Sequence, residues 1–417
     1  MTEILRNWAG HFAFGAGRFH APTNIADIQR IVHDARKIRV AGSRHSFNTL
    51  ADTDGDLLSL RHLERRIDID SAAHTVTIDG GVTYADLCPV LDAAGFALPN
   101  IASVPDFTII GAAATATHGS GTGNRNLAAP VSAVELVTAT GDIVTLRRGD
   151  SDFPGAVVNV GALGVVSALT LDLLPRFEVY QNIFLDLPFD SVIENLESVM
   201  GAGYSVSLFT HWRDGIVKEA WVKSLASAAP PPTEFFGGHA ATVPVSPVYG
   251  ADPTGTTAQL GVPGPWFDRL PHGRIHVLPK IGAELQSEYF IALADAPAAL
   301  RALDKIAPSF ADLLIVSEVR TIAADDYWIS MNQGRASIGI HFAFRHDWPA
   351  VSRVLPLIEA ALAPFAPRPH WGKLFTMPAT EVHARYPHLG DFTALAIRLD
   401  PAGKFRNAFL SEYVFVD

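Results

Sequence analysis

Two strand-like runs carry side chains that a closed core does not ordinarily hold. In residues 313–322 the alternation of a strand puts Glu318 and Arg320 on one face, beside Val316 and Ile322. Burying charges among strand formers is costly unless they pair with each other or meet a ligand. A structural salt bridge and a ligand contact are therefore both open. In residues 337–345, His341 shares its face with Ser337, Gly339 and Ala343, whereas Ile338, Ile340, Phe342 and Phe344 point the opposite way. The apolar side is suited to packing. The other side, small and polar around one histidine, reads as the wall of a cavity, with a structural histidine as the competing reading.

A different chemistry is written into residues 111–124. Seven small residues, Gly111-Ala112-Ala113-Ala114-Thr115-Ala116-Thr117, precede His118-Gly119-Ser120-Gly121-Thr122-Gly123-Asn124. Small side chains let a backbone come close to a bulky ligand, and its amides can face phosphate oxygens. A tightly packed turn is the alternative. No Gly-Lys-Ser/Thr follows, which excludes a Walker phosphate loop. Gly119 and Gly121 begin a dinucleotide-like pattern, but Asn124 stands where its third glycine belongs. A nucleotide cradle here needs another architecture.

Taken in order, the motifs resemble one family. Gly42-Ser43-Arg44-His45-Ser46-Phe47-Asn48 is similar to the first FAD-pyrophosphate loop of the vanillyl-alcohol oxidase superfamily. Residues 115–121 resemble its second loop, and Gly161-Ala162-Leu163-Gly164-Val165-Val166 a third FAD-contacting segment. Within the superfamily the sequence most resembles the bacterial alditol (xylitol) oxidases, from Asn7-Trp8-Ala9-Gly10 to Lys404-Phe405. The FAD contacts implied are Ala41, Gly42, Ser43, Arg44, His45, Ser46, Phe47, Ser103, Thr108, Gly111, Thr115, Thr117, His118, Gly119, Ser120, Val165 and His370. In that family the histidine at the position of His45 bonds to the flavin 8α-methyl carbon, so FAD attached through His45 is expected. A loop histidine hydrogen-bonded to the chain is the alternative. Cys88 lies outside these loops, which leaves a single attachment.

Arg368-Pro369-His370-Trp371-Gly372-Lys373 resembles a motif near the flavin in alditol and aldonolactone oxidases. The resemblance places Lys373 and His341 beside a reacting hydroxyl, Glu318 and Arg320 on neighbouring hydroxyls, and Ser103 against both flavin and substrate. His341, Lys373 and Arg320 are the implied catalytic residues, and no metal is expected. Surface-loop roles remain open for His370 and Lys373. The implied activity is oxidation of a terminal hydroxyl of a small polyol, such as xylitol or sorbitol, with oxygen reduced to hydrogen peroxide. A sugar-1,4-lactone oxidase or dehydrogenase of the same superfamily is the nearest alternative, and a flavin-free sugar-binding protein one of a different class. Three positions depart from the pattern: Arg44 where glycine is frequent, Ala343 where alditol oxidases have a substrate-binding threonine, and Asp106 where they usually have histidine. The lost threonine hydroxyl weakens the inference to xylitol and leaves the FAD chemistry intact.

The elements that must position these residues follow from periodicity. Thr23 is a candidate cap for a helix carrying Ile25, Ile28, Ile31, Val32 and Ala35, followed by a strand at 38–41. Thr83 and Asp86 have capping-box spacing before an apolar helical pattern ending at Gly95, with Pro89 expected to delay or bend it. Strands are expected at 75–78, 134–137, 143–146, 165–173, 205–212, 216–223 and 284–292, with hairpin turns at Gly141 and at Asp214-Gly215. Residues 226–265 read as a long irregular loop. The expected fold is α+β, a two-domain vanillyl-alcohol oxidase-like fold: an FAD-binding domain (1–175), a substrate-binding cap domain with a large antiparallel sheet (176–367), and a C-terminal segment (368–417) returning to the flavin site. A chain of 417 residues suits two domains. A net charge of −11 argues against nucleic acid, and no apolar run or leader-like N-terminus points to a membrane or export. With one cysteine, no intrachain disulfide is possible, and a cytoplasmic monomer acting on a small polyol and oxygen is the expectation.

Overall fold

The computed structural model describes residues 5–415 apart from 230–231, 249, 276 and 278–283. Among them the largest element is a ten-stranded sheet, antiparallel at its pairings. Its middle runs in the order Glu178–Pro188, Ile216–Leu225, Ser205–Thr210, Leu314–Ile322, Ser337–Arg345, Glu284–Ala292, and the short strand Arg368–Pro369 adds to the last of these. Asp214 and Gly215 both take positive φ at the tip of the predicted hairpin, as a tight turn between twisted strands demands.

Alternation decides what each face of this sheet does. Ile338, Ile340, Phe342 and Phe344 are fully buried and share a core with helices Ala296–Ile306 and Trp348–Leu362. Those helices present Ala299, Leu300 and Leu303, and Val351, Leu355, Ile358 and Leu362, at three- and four-residue spacing. Burial of each large side chain contributes roughly 1.5–3 kcal/mol. This leaves the opposite face, with Glu288, Glu318, Arg320 and His341, turned toward the N-terminal part of the chain.

That N-terminal part holds a parallel sheet of Arg18–His20, Asp56–Leu58 and Ile38–Val40, and a five-stranded antiparallel sheet drawn from residues 67–172. The buried Arg39 guanidinium joins distant segments by donating to the carbonyls of Leu50, Val160, Gly161 and Phe405. The C-terminal tail thus closes back on the start of the chain, where Phe405 packs with Ile28, Val32 and Ile38.

Several local expectations need correction. Asn24, not Thr23, caps the helix Ile25–Asp34 through the Asp27 amide. The capping box of Thr83 and Asp86 forms, and the helix Tyr84–Ala93 continues through an exposed Pro89 instead of starting after it. Cys88 is buried in that helix, as a core residue should be. Residues 226–265 are not wholly irregular: Gly238–Ala240 and Gly264–Pro265 pair with the strand Glu178–Pro188. The small-residue run also opens on a helix, Ile109–Ala114, before it becomes a loop. No helix among the described residues is long and apolar enough to cross a membrane, and none of their His, Cys, Asp or Glu side chains cluster to hold a metal.

Candidate active site

Strand pairing lines up three chemical groups across the inward face. His341 lies directly opposite Glu288 on one neighbour and Glu318 on the other. Arg320, two residues along from Glu318, reaches its carboxylate at 3.3 Å and that of Glu288 at 3.5 Å. Lys373, from the segment after the edge strand, donates to Glu288 at 2.6 Å. His118 approaches the other Glu288 oxygen through Nε2 at 3.0 Å. Arg320 also donates to Ser103 Oγ at 3.3 Å and to the His118 carbonyl at 3.4 Å. One sheet face and two loops of the N-terminal part therefore converge on a single charged cluster.

The electrostatics follow from this crowding. Burial pushes the Glu288 carboxyl up, but Lys373, His118 and Arg320 together outweigh it and hold the group well below the usual range. Glu318 is likewise held ionised against burial by Arg320 and His272. Burial, reinforced by the Lys373 charge, drives His341 down to about 3, so its imidazole is neutral at physiological pH. Its Nδ1 is buried without a hydrogen-bond partner. Burial also lowers Lys373, although Glu288 opposes the shift. An unpartnered ring nitrogen beside a charged cluster suits a site for a hydroxylated ligand.

On the other side of the cluster lies the loop of residues 42–47. The backbone amides of Gly42, Ser43, Arg44, His45 and Ser46 make no hydrogen bond to any described residue. Five successive unpaired amides are available to an anion. Arg44 takes φ 62°, which explains why glycine suits this position, and its guanidinium bonds to the Arg6 carbonyl. The His45 ring lies between Trp8 and Phe107, at centroid distances of 4.9 and 4.4 Å. Burial, and secondarily Arg44, lowers it to about 3, and it has no hydrogen-bond partner among the described residues. The loop is pinned to the Lys373 segment: Asn48 donates to the carbonyls of Trp371 and Lys373, and the Phe47 amide to that of Gly372. At Gly42 a side-chain carbon would meet Thr108 Oγ1 at 2.5 Å, so glycine lets this loop approach the start of the helix Ile109–Ala114, within which Gly111 clears the same oxygen.

Known proteins resolve which family this geometry serves. Residues 17–147 match the FAD binding domain family, and residues 283–413 match D-arabinono-1,4-lactone oxidase. Over 415 residues the chain is 46% identical to the alditol oxidase of Streptomyces sp. (strain IKD472 / FERM P-14339), covering 99% of each. The chain belongs to the alditol oxidase family. With it comes the vanillyl-alcohol oxidase superfamily. L-gulono-1,4-lactone dehydrogenase of Mycobacterium tuberculosis (strain ATCC 25618 / H37Rv) is 28% identical over 98% of each chain. L-gulonolactone oxidase of Mus musculus is 24% identical over 99% of this chain and 98% of its own. Cholesterol oxidase from B. sterolicum superposes with a TM-score of 0.81 at 14% identity, covering 99% of this chain and 97% of that one, a likeness of fold alone.

For an alditol oxidase family member the cofactor is FAD, and the donor set fits it: unpaired amides for the pyrophosphate and a neutral, aromatic-flanked histidine beside them. The sequence-predicted Ser103, Glu318, Arg320, His341 and Lys373 are brought together. Other predicted cofactor residues are committed differently. The His118 ring braces Glu288; Thr115 and Thr117 hydroxyls bond to each other at 3.0 Å; the Ser120 hydroxyl donates to the Val206 carbonyl. His370 accepts from the Gly372 amide and holds the turn before Lys373. Val165 and Ala41 are buried. Gly119 and Gly121 are required by close packing against Asn100 and the Tyr204 carbonyl. Sequence reasoning missed Glu288, Lys223 and His272. The signal for Glu288 was present, since Glu284, Gln286 and Glu288 share a face opposite Leu285, Tyr289 and Ile291.

Proposed function

We propose that this protein is a FAD-dependent oxidase that converts a terminal hydroxyl of a small polyol, an alditol such as xylitol or sorbitol, to the aldehyde, with FAD held covalently by His45. The observation that carries the reading is the row Glu288–His341–Glu318 with Lys373 and Arg320, together with the unpaired amides of residues 42–46 on a loop pinned to the Lys373 segment. When bound, FAD supplies acceptance of a hydride from the carbinol carbon and its delivery to oxygen as hydrogen peroxide.

The side chains do the remaining work. Among the described residues Lys373 bonds Glu288 alone and has further N–H groups to offer, so its ammonium orients the reacting hydroxyl and stabilises the negative charge that develops there. His341, neutral and with an unpartnered ring nitrogen, receives the hydroxyl proton. Arg320 and Glu318 supply a donor and an acceptor for neighbouring hydroxyls, and Ser103 a further hydroxyl contact. Neutral His45 retains the lone pair needed to bond a carbon. The protein acts as a monomer on polyol and oxygen in the cytoplasm, and involves neither membrane nor nucleic acid.

The match of residues 283–413 to D-arabinono-1,4-lactone oxidase supports a second reading, oxidation of a sugar-1,4-lactone. Peroxide production from xylitol, sorbitol and an aldonolactone separates the two. The polyol reading expects turnover with the alditols. A preference for the lactone reverses it. Purified protein should be yellow and stay yellow after denaturation and precipitation, whereas His45→Ala should release its colour. A colourless protein would point to a sugar-binding scaffold without flavin.

A further inference from the structure

Beyond the residues used so far, the inward face of the sheet carries a second buried cation. Lys223 is 1% exposed, yet its Nζ donates to the carbonyls of Leu270 and Pro271 and lies 3.4 Å from His272 Nδ1. The loop bearing His272 is tied down again by the Thr257 amide on the His272 carbonyl and the Thr257 hydroxyl on that of Pro271. His272 Nε2 is 2.8 Å from Oε1 of Glu318, and its ring meets Phe209 and Trp221 edge-on, both at 5.3 Å. These partners fix the tautomer: Lys223 donates to Nδ1, and Nε2–H donates to the carboxylate.

The consequence lies in which Glu318 oxygen remains. His272 and Arg320 both converge on Oε1. Oε2 has no partner among the described residues. Glu288, His341 and Glu318 stand on successive strands, so the backbones of Glu288 and Glu318 lie about 10 Å apart, two strand spacings, and Arg320 bridges their carboxylates. Past Glu318 the next strand sets Phe209 opposite it, and the polar side chains of the strand after that, Glu219 and Lys223, flank Trp221. Phe209, Trp221, Val316 and Ala343 pack there as one apolar cluster, and His272 stands between that cluster and the carboxylate.

We propose that His272, held in place by Lys223, is a specificity-determining residue: it ends the substrate cavity beyond Glu318 and aims Oε2 of that carboxylate at the distal hydroxyl, so that the site selects polyols by chain length. The proposal rests on the polyol reading above. It is tested by kcat/KM for glycerol, xylitol and sorbitol in the wild type, His272→Ala and Lys223→Met, with flavin absorbance confirming loaded protein. Removing the imidazole opens the far end, and the sorbitol-to-glycerol ratio should rise at least about tenfold, mainly through KM for the longer chain. Lys223→Met keeps the volume and frees His272, so it should move the ratio in the same direction. That variant carries the test alone if His272→Ala does not fold. A ratio within about twofold of wild type overturns the proposal while leaving the polyol reading intact. Wild-type protein that yields peroxide from none of the three overturns both.

Discussion

Glu288 holds the cluster together. It has no exposed side-chain surface, and three basic groups bond to it or lie beside it. Removing its charge leaves Lys373 and Arg320 buried with reduced compensation, a change that typically costs about 3 kcal/mol. Glu288→Gln should therefore lower the denaturation midpoint and cut turnover, while Glu288→Asp should retain more of both. Denaturant melts with peroxide assays check this, and an unchanged midpoint would remove the residue from this role. Lys373→Ala acts on the reaction more than on the fold, since the residue sits in a loop and touches the reacting oxygen in the proposed mechanism. Turnover should fall roughly 10²–10³-fold, as when one charge-stabilising donor is lost, with flavin content preserved. Equal turnover in the variant would take Lys373 out of the mechanism. Ala343 marks where the local pattern was informative: it packs with Val316, Phe209 and Trp221 instead of offering a hydroxyl, so this part of the face is apolar.

At the scale of elements, what the sequence revealed depended on whether the signal was local. The strands at 284–292, 313–322 and 337–345 appear within one residue of expectation because alternation, β-branched residues and turns all agree there. The capping box at Thr83 and Asp86 was legible for the same reason. His272 and Lys223 were not, because their meaning arises when a loop folds across a sheet some fifty residues away in sequence. At glycines 119 and 121 the sequence showed small size but not the neighbours, Asn100 and the Tyr204 carbonyl, that a side chain would meet. Pro89 shows tertiary packing overriding local preference. It lies inside the helix Tyr84–Ala93, where it has no amide to donate back, yet the helix persists because Tyr84, Leu87, Cys88 and Leu91 bury one side. Pro89 itself is exposed. Pro89→Ala should thus restore a helical hydrogen bond without disturbing the core and stabilise the protein by about 1 kcal/mol, net of the proline's restriction of the unfolded chain. A thermal melt that shows no gain would mean the bond is already replaced.

Across the whole molecule, the buried histidines set how stability responds to pH. His341 and His272 titrate at about 3 and about 4 in the folded protein, both chiefly through burial, and His118 and His370 are lowered for the same reason. Unfolded, each takes up a proton near pH 6.5. Below that pH the unfolded state binds more protons than the folded one, so stability is lost as pH falls. By pH 5 each of His341 and His272 removes roughly 2 kcal/mol, from a total that is typically 5–15 kcal/mol. Glu288 and Glu318 work in a lower window. Their folded pKa values are depressed, so the stability they contribute is present above about pH 4.5 and is lost only as pH falls further. Between pH 6.5 and 4.5 the histidines therefore dominate. Lys223, pulled down to about 7 by burial, continues the same sign above neutrality, since the unfolded lysine holds its proton to higher pH. The melting temperature should fall steadily from pH 7.5 to 5, and His272→Gln, which cannot charge, should flatten that slope by its share. A melting temperature constant across this interval would mean that these imidazoles gain protons within the fold, and that water or a counter-charge reaches them in the cluster.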